Sequence, residues 1–268
     1  MKPMPPESAS TCAAPVLVHY HIYKNAGSSI ARLLRECFGD CWTTFEGASA
    51  SDIIDSARLK DFLNAHPHIR AVSSHLARPP IPMLSVRPLL MLRHPIDRAR
   101  SVYYFACRDA SQPDHEIASN GSFSDYVNFY LEQDDAGVVI RNYQVVHLSE
   151  ASFRCEHIQL AEASPADLEH AKAVLAEWGV FGLVRRFADS CKLFSAYYGG
   201  EFPELVLQEI AENVSTSASL NDDEALALAH TELGGAAFDK LIEANSLDLE
   251  LYRFAQERFS ERLGALVN

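Results

Sequence analysis

The stretch VLVHYHIYKNAGSSIARLLRECF, Val16 to Phe38, limits the fold more than any other part of the chain. Val16–Tyr23 is apolar, β-branched and aromatic enough for a buried strand. Ile30, Leu33, Leu34, Cys37 and Phe38 then recur at i, i+3, i+4, i+7 and i+8, one face of a helix. The period changes across KNAGSS, so that segment is a strand-to-helix turn. Such a turn leaves backbone N–H groups unsatisfied at the helix N-terminus, where the macrodipole also favours an anion. Gly27 lets the backbone approach closely, the Ser28 and Ser29 hydroxyls can donate to phosphate oxygens, and Lys24 supplies full charge from the strand end. Asn25 and Ala26 lie in the same loop. A nucleotide triphosphatase loop reads GxxxxGK[ST], with its lysine after the glycines. Here the lysine comes first, so the usual magnesium-nucleotide inference does not transfer. On its own, a K-x-x-G-S-S turn is as compatible with an ordinary capped turn.

The same reading extends along the chain. Ile53, Ile54, Ala57, Phe62 and Leu63 predict a helix ended near His66-Pro67. Ile69–Ser74 and Leu89–Leu92 are strand candidates, and Pro95 fits the first turn of a helix carrying Ala99, Val102 and Tyr103. Ser164-Pro165-Ala166-Asp167 reads as a capped helix start, and Gly179 as its stop. Val180–Val184 predicts a strand, followed by a helix ending at Gly199-Gly200. Ser246 is expected to cap a last helix with Leu249, Tyr252, Ala255, Phe259 and Leu263 inward. Asp109–Ser124 lacks periodicity and reads as a long loop. Strands alternating with helices imply a doubly wound α/β fold with a parallel sheet, whose ligands lie beyond the C-terminal strand ends.

Composition narrows the functional classes. The 268 residues are 48% apolar, enough for a substantial single-domain core over 16–268, with residues 1–15 expected as a disordered leader. A net charge of -13 argues against a nucleic-acid or anionic-membrane surface. Residues 201–268 carry 14 Asp/Glu against 4 Lys/Arg. Between Arg78 and Arg108, by contrast, six arginines meet one acid, Asp97. Solvated surface is the plain reading of that window, although its LLML run borders a buried strand. The six cysteines show no zinc-like spacing, and no apolar run approaches the roughly 18 residues of a membrane span. A cytoplasmic protein is expected.

Two motifs resemble a known family. HIYKNAGSSIARLL is similar to the 5'-phosphosulfate loop of sulfotransferases that use 3'-phosphoadenosine 5'-phosphosulfate (PAPS), especially the carbohydrate-type loop H-I-P-K-T-G-G-T-S. Tyr23 replaces the proline, Asn25 and Ala26 replace Thr and Gly, and the serines keep the hydroxyls. LLMLRHPIDRARSVYYF, Leu89 to Phe105, resembles the family's 3'-phosphate signature, L-R-D-P followed by R-x-x-S-x-Y. Arg93 and Ser101 take its arginine and serine positions, and His94 replaces the usual Asp. NYQVVHLSE, FGLVRRFADSCKLF and LDLELYRFAQERF echo later segments, Arg185 standing where Glu is usual, so the resemblance spans about Val16 to Leu263. It implies a P-loop-like three-layer fold, a helix-rich C-terminal half and PAPS across the strand ends.

Sulfuryl transfer from PAPS to an acceptor hydroxyl is an in-line displacement governed by positioning and charge stabilisation, and it requires no metal. By resemblance, Lys24 neutralises charge on the breaking bond, while Arg93 and Ser101 hold the 3'-phosphate. His75, at the end of AVSSH, matches a family histidine upstream of L-R-D-P and is the first candidate base; it also reads as an ordinary strand-end histidine. His21 is the second candidate, as base or as pocket wall, and Asp97 and Glu116 are outsiders. A sugar or other small-molecule alcohol is the expected acceptor. An ATP-dependent small-molecule kinase and a catalytically silent nucleotide-binding protein are the alternatives.

Overall fold

A computed structural model describes residues 14–49, 52–79, 85–132, 137–155, 158–207 and 221–267. Most of the expected leader lies outside them. The centre is a five-stranded, wholly parallel sheet in the order β2-β3-β1-β4-β5, flanked by helices in three layers. The strands are β1 (Val16–Tyr20), β2 (Trp42–Thr44), β3 (Ala71–Ser74), β4 (Val86–Leu92) and β5 (Gly182–Leu183). β1 is buried along its whole length, as expected of a strand covered on both faces. It pairs β3 with Leu17 opposite Ala71 and Tyr20 opposite Ser74, and pairs β4 with Val16 opposite Val86 and Tyr20 opposite Leu90. The α/β, helix-rich, P-loop-like expectation is met.

Helix α1 (Gly27–Phe38) buries Ile30, Leu33, Leu34 and Phe38 against the sheet. Helices α7 (Pro165–Trp178), α8 (Phe187–Tyr198) and α11 (Ser246–Val267) add Leu168, Phe194, Tyr252 and Phe259 to the same core. The expected cap of α7 is a full capping box between Ser164 and Asp167, and Gly179 ends the helix in a left-handed conformation at φ 70°. A second apolar cluster joins α3 (Pro95–Arg108), α4 (His115–Asn120), α5 (Phe123–Glu132), α9 (Asp222–Leu233) and α10 (Gly235–Ala244) around Val102, Tyr126 and Leu241.

Several expectations are corrected. Asp109–Ser124 is not one long loop, because α4 and the start of α5 occupy it. A six-residue helix such as α4 is too short to display a period. Ile53 and Ile54 precede α2 (Ser56–Ala65), and Ile54 instead bridges to Ala77. In α11 it is Leu251 that is buried, while Leu249 is only half-buried.

Candidate active site

Because β1, β3 and β4 are adjacent and parallel, the residues that follow them emerge on one edge. The Lys24 turn follows β1, His75 follows β3 and Arg93 follows β4. That common edge is the one the sequence predicts.

The β1–α1 turn contains two left-handed residues, Lys24 at φ 65° and Ala26 at φ 58°. Neither is glycine, so each carries a conformational cost of about 1–2 kcal/mol. Neighbouring bonds hold the shape. Asn25 between them is buried, and its amide donates to the Met91 carbonyl at 2.9 Å and to Gln144 Oε1 at 2.8 Å. The Asn25 side chain thus anchors the turn to β4 and is not on its open surface. Ser28 is exposed and Ser29 half-buried at the start of α1. Gly27 has a neighbour the sequence did not indicate. A Cβ there would lie 1.7 Å from Cδ2 and 1.8 Å from Nε2 of His21, so the missing side chain makes room for an imidazole.

Lys24 directs its ammonium to Phe105 on α3, with Nζ 3.8 Å from the ring centroid. No carboxylate among the described residues pairs with it. Burial, and then the positive Arg93 and Arg108, lower its pKa to about 8. This is a cation held beside other cations, and an anion in the turn would relieve that repulsion.

The β4–α3 turn is closed by contrast. Arg93 donates from Nε to Asp97 at 2.7 Å and from Nη1 to the Lys24 carbonyl at 3.0 Å. Two of its five donors are thereby used. Arg185 lies 2.7 Å from the other Asp97 oxygen, so one buried carboxylate serves two guanidinium groups. Burial alone would raise the Asp97 pKa; Arg93 and Arg185 outweigh it and hold the carboxyl below its usual range. Asp97, an outsider among the candidate bases, is therefore occupied as a structural counter-ion, and the other outsider, Glu116, is exposed on α4. Ser101 sits in the second turn of α3, half-buried. The arginine window is not simply solvated surface either, since Arg78 and Arg98 are buried.

Four histidines gather beside the Lys24 turn. His21 and His75 have ring centroids 3.7 Å apart, and His19 stacks on the other partner of that pair, His21, at 5.2 Å. His147 accepts from Arg78 Nη1 at 3.4 Å. Burial, followed by His75 and Lys24, lowers the His21 pKa to about 3. Burial, followed by Arg78 and neighbouring histidines, also keeps His147 neutral. His21 is thus a poor proton acceptor and a wall of the site, whereas His75 is half-exposed and accessible. Its Nδ1 lies 2.9 Å from Glu46 Oε1.

Sequence reasoning missed Gln144 and Asp248. Gln144 accepts from Asn25 and from the Arg93 backbone N–H, and donates to the Arg93 carbonyl, so one buried amide joins both turns. Asp248 on α11 in turn accepts from the backbone N–H groups of Gln144 and Val145, at the start of α6 (Tyr143–Leu148). The N-Y-Q echo in the sequence was the available signal for Gln144.

The fold and edge define an α/β protein with an anion-suited strand-to-helix turn on a parallel sheet. No family model matches the chain. A protein of Archaeoglobus fulgidus, described as uncharacterized, is 28% identical over 254 residues, covering 92% of this chain and 98% of that one. No helix among the described residues is long and apolar enough to cross a membrane.

Proposed function

We propose that the protein is a PAPS-dependent sulfotransferase that moves a sulfuryl group to a hydroxyl of a small molecule or glycan. The observation that carries this reading is the direct link between the two phosphate motifs: Arg93 donates to the carbonyl of Lys24, and no described carboxylate neutralises the lysine. Lys24, with the Ser28 and Ser29 hydroxyls, suits the 5'-phosphosulfate, and Lys24 stabilises charge as the bridging bond breaks. The unused donors of Arg93, with Ser101, suit the 3'-phosphate. The accessible His75 takes the acceptor's proton, and buried His21 forms the wall behind it. The described cysteines are free thiols, which suits a reducing compartment and the cytoplasm.

The test is a calorimetric titration with PAP (the desulfated product), AMP and ATP. PAP is expected to bind more tightly than AMP by about 2–5 kcal/mol, because only PAP offers a 3'-phosphate to Arg93 and Ser101. Equal PAP and AMP affinities would overturn the reading. Magnesium-dependent preference for ATP would replace it with the kinase alternative.

A further inference from the structure

Glu46 lies just beyond β2, the edge strand next to β3. The pairing of these strands continues past β2, since the Phe45 N–H donates to the Ser73 carbonyl at 3.0 Å. This continuation carries Glu46 to the end of β3, where its carboxylate meets His75 twice. The backbone N–H of His75 donates to both Glu46 oxygens, at 3.0 and 3.1 Å, and the ring Nδ1 lies 2.9 Å from Oε1. The same side chain therefore fixes both the backbone and the ring of one residue.

We infer that Glu46 is a positioning residue for His75: its carboxylate holds the imidazole as the Nδ1–H tautomer and leaves Nε2 as the open acceptor. An ionised carboxylate only accepts hydrogen bonds, so Nδ1 must carry the proton of a neutral ring. A histidine that serves as a general base needs this arrangement, in which a second group settles the tautomer and the orientation. The remaining neighbours do not compete for the proton. His21 contacts the ring face at a tilt of 33°, His19 bonds Ser73 through its own Nδ1, and His147 is engaged by Arg78. Arg78 also donates to the His75 carbonyl at 2.7 Å, holding the residue from its other end. No hydrogen bond from a described residue engages Nε2. The catalytic use of this tautomer rests on the sulfuryl-transfer reading; the tautomer itself does not.

Nitrogen NMR of histidine-labelled full-length protein, at a pH where His75 is neutral, tests the inference. In the parent protein the unprotonated-nitrogen resonance of His75 is expected at Nε2. In Glu46→Ala it should move to Nδ1 as the tautomer ordinarily preferred by free imidazole takes over. Glu46→Gln, whose amide oxygen can still accept from Nδ1, should keep the parental pattern. A parent spectrum with the open nitrogen at Nδ1 would overturn the inference, and this arm does not depend on any variant folding. An unchanged pattern in a folded Glu46→Ala variant would do the same. PAP affinity, measured on the same samples, separates the two ideas. Loss of PAP selectivity in the parent with the expected tautomer refutes the sulfotransferase reading alone, and the wrong tautomer with intact PAP selectivity refutes the role of Glu46 alone.

Discussion

The β1–α1 and β4–α3 turns are neighbours on one sheet edge, and both pass from a buried strand into a helix, yet they are built in opposite ways. The first has left-handed residues, an exposed serine and a lysine without a carboxylate among the described residues. The second starts its helix with Pro95 and ties its arginine to a buried acid. In the first, local strain is maintained and the cation has no acid beside it; in the second, two cations share one buried acid. A ligand-binding edge needs both, because the open turn keeps its shape only where a rigid neighbour holds it. Gln144 and the Arg93–Lys24 bond provide that coupling.

The largest test attacks the rigid turn. Asp97→Ala strips Arg93 and Arg185 of the carboxylate they share, with all three side chains at least 87% buried. Removing one partner from such a buried charged group costs about 3–5 kcal/mol. Urea denaturation should show a loss of that size. A loss below about 1 kcal/mol would mean that the rigid turn is not held by this acid, and the contrast between the turns would fail.

The open turn is tested by pH. Lys24 titrates near pH 8 in the protein without ligand, lowered by burial and then by Arg93 and Arg108. A bound phosphate favours the charged ammonium and raises that pKa. Below about pH 8 the lysine is already protonated, so PAP, if the proposed function holds, is expected to bind at full strength. Above it, binding must take up a proton, and affinity should fall by up to about tenfold per pH unit until the raised pKa of the complex is passed. Calorimetry in buffers of different ionisation enthalpy should detect this uptake. Lys24→Ala should abolish it. A PAP affinity independent of pH in the parent between about pH 7.5 and 9.5 would remove Lys24 from the binding turn.

The two turns also differ in how far they could be read from sequence. The change of period at Gly27 and the proline at position 95 locate both turns without any tertiary information. His75 and Arg93 emerge on the same edge as Lys24 because adjacent parallel strands require it, and strand alternation was enough to say so. What each side chain does depends on partners distant in sequence. Asn25 is anchored by Gln144, 119 positions away, and Asp97 is joined to Arg185, which follows the neighbouring strand β5 much later in the sequence. Glu46 was invisible because β2 is a three-residue, partly exposed edge strand with no alternating pattern. A second role of Gly27 was invisible for the same reason: that His21 fills the room left by its missing side chain is decided by packing.

The smallest test separates strain from entropy in the open turn. Ala26 has φ 58° and ψ 21°, a left-handed conformation that costs an L-residue about 1–2 kcal/mol and costs glycine little. Ala26→Gly removes that cost but adds about 0.4–1 kcal/mol of unfolded-state freedom. The expected net result is a stabilisation of about 0.5–1 kcal/mol. Ala173, exposed in the middle of α7, provides the opposite case. There Ala→Gly removes no strain, and helix propensity makes it a destabilisation of about 1 kcal/mol. Opposite signs in paired urea titrations would show that the turn stores backbone strain. If Ala26→Gly destabilises as much as Ala173→Gly, the turn relaxes in solution to a right-handed shape, and the open turn loses the feature that most distinguishes it from its neighbour.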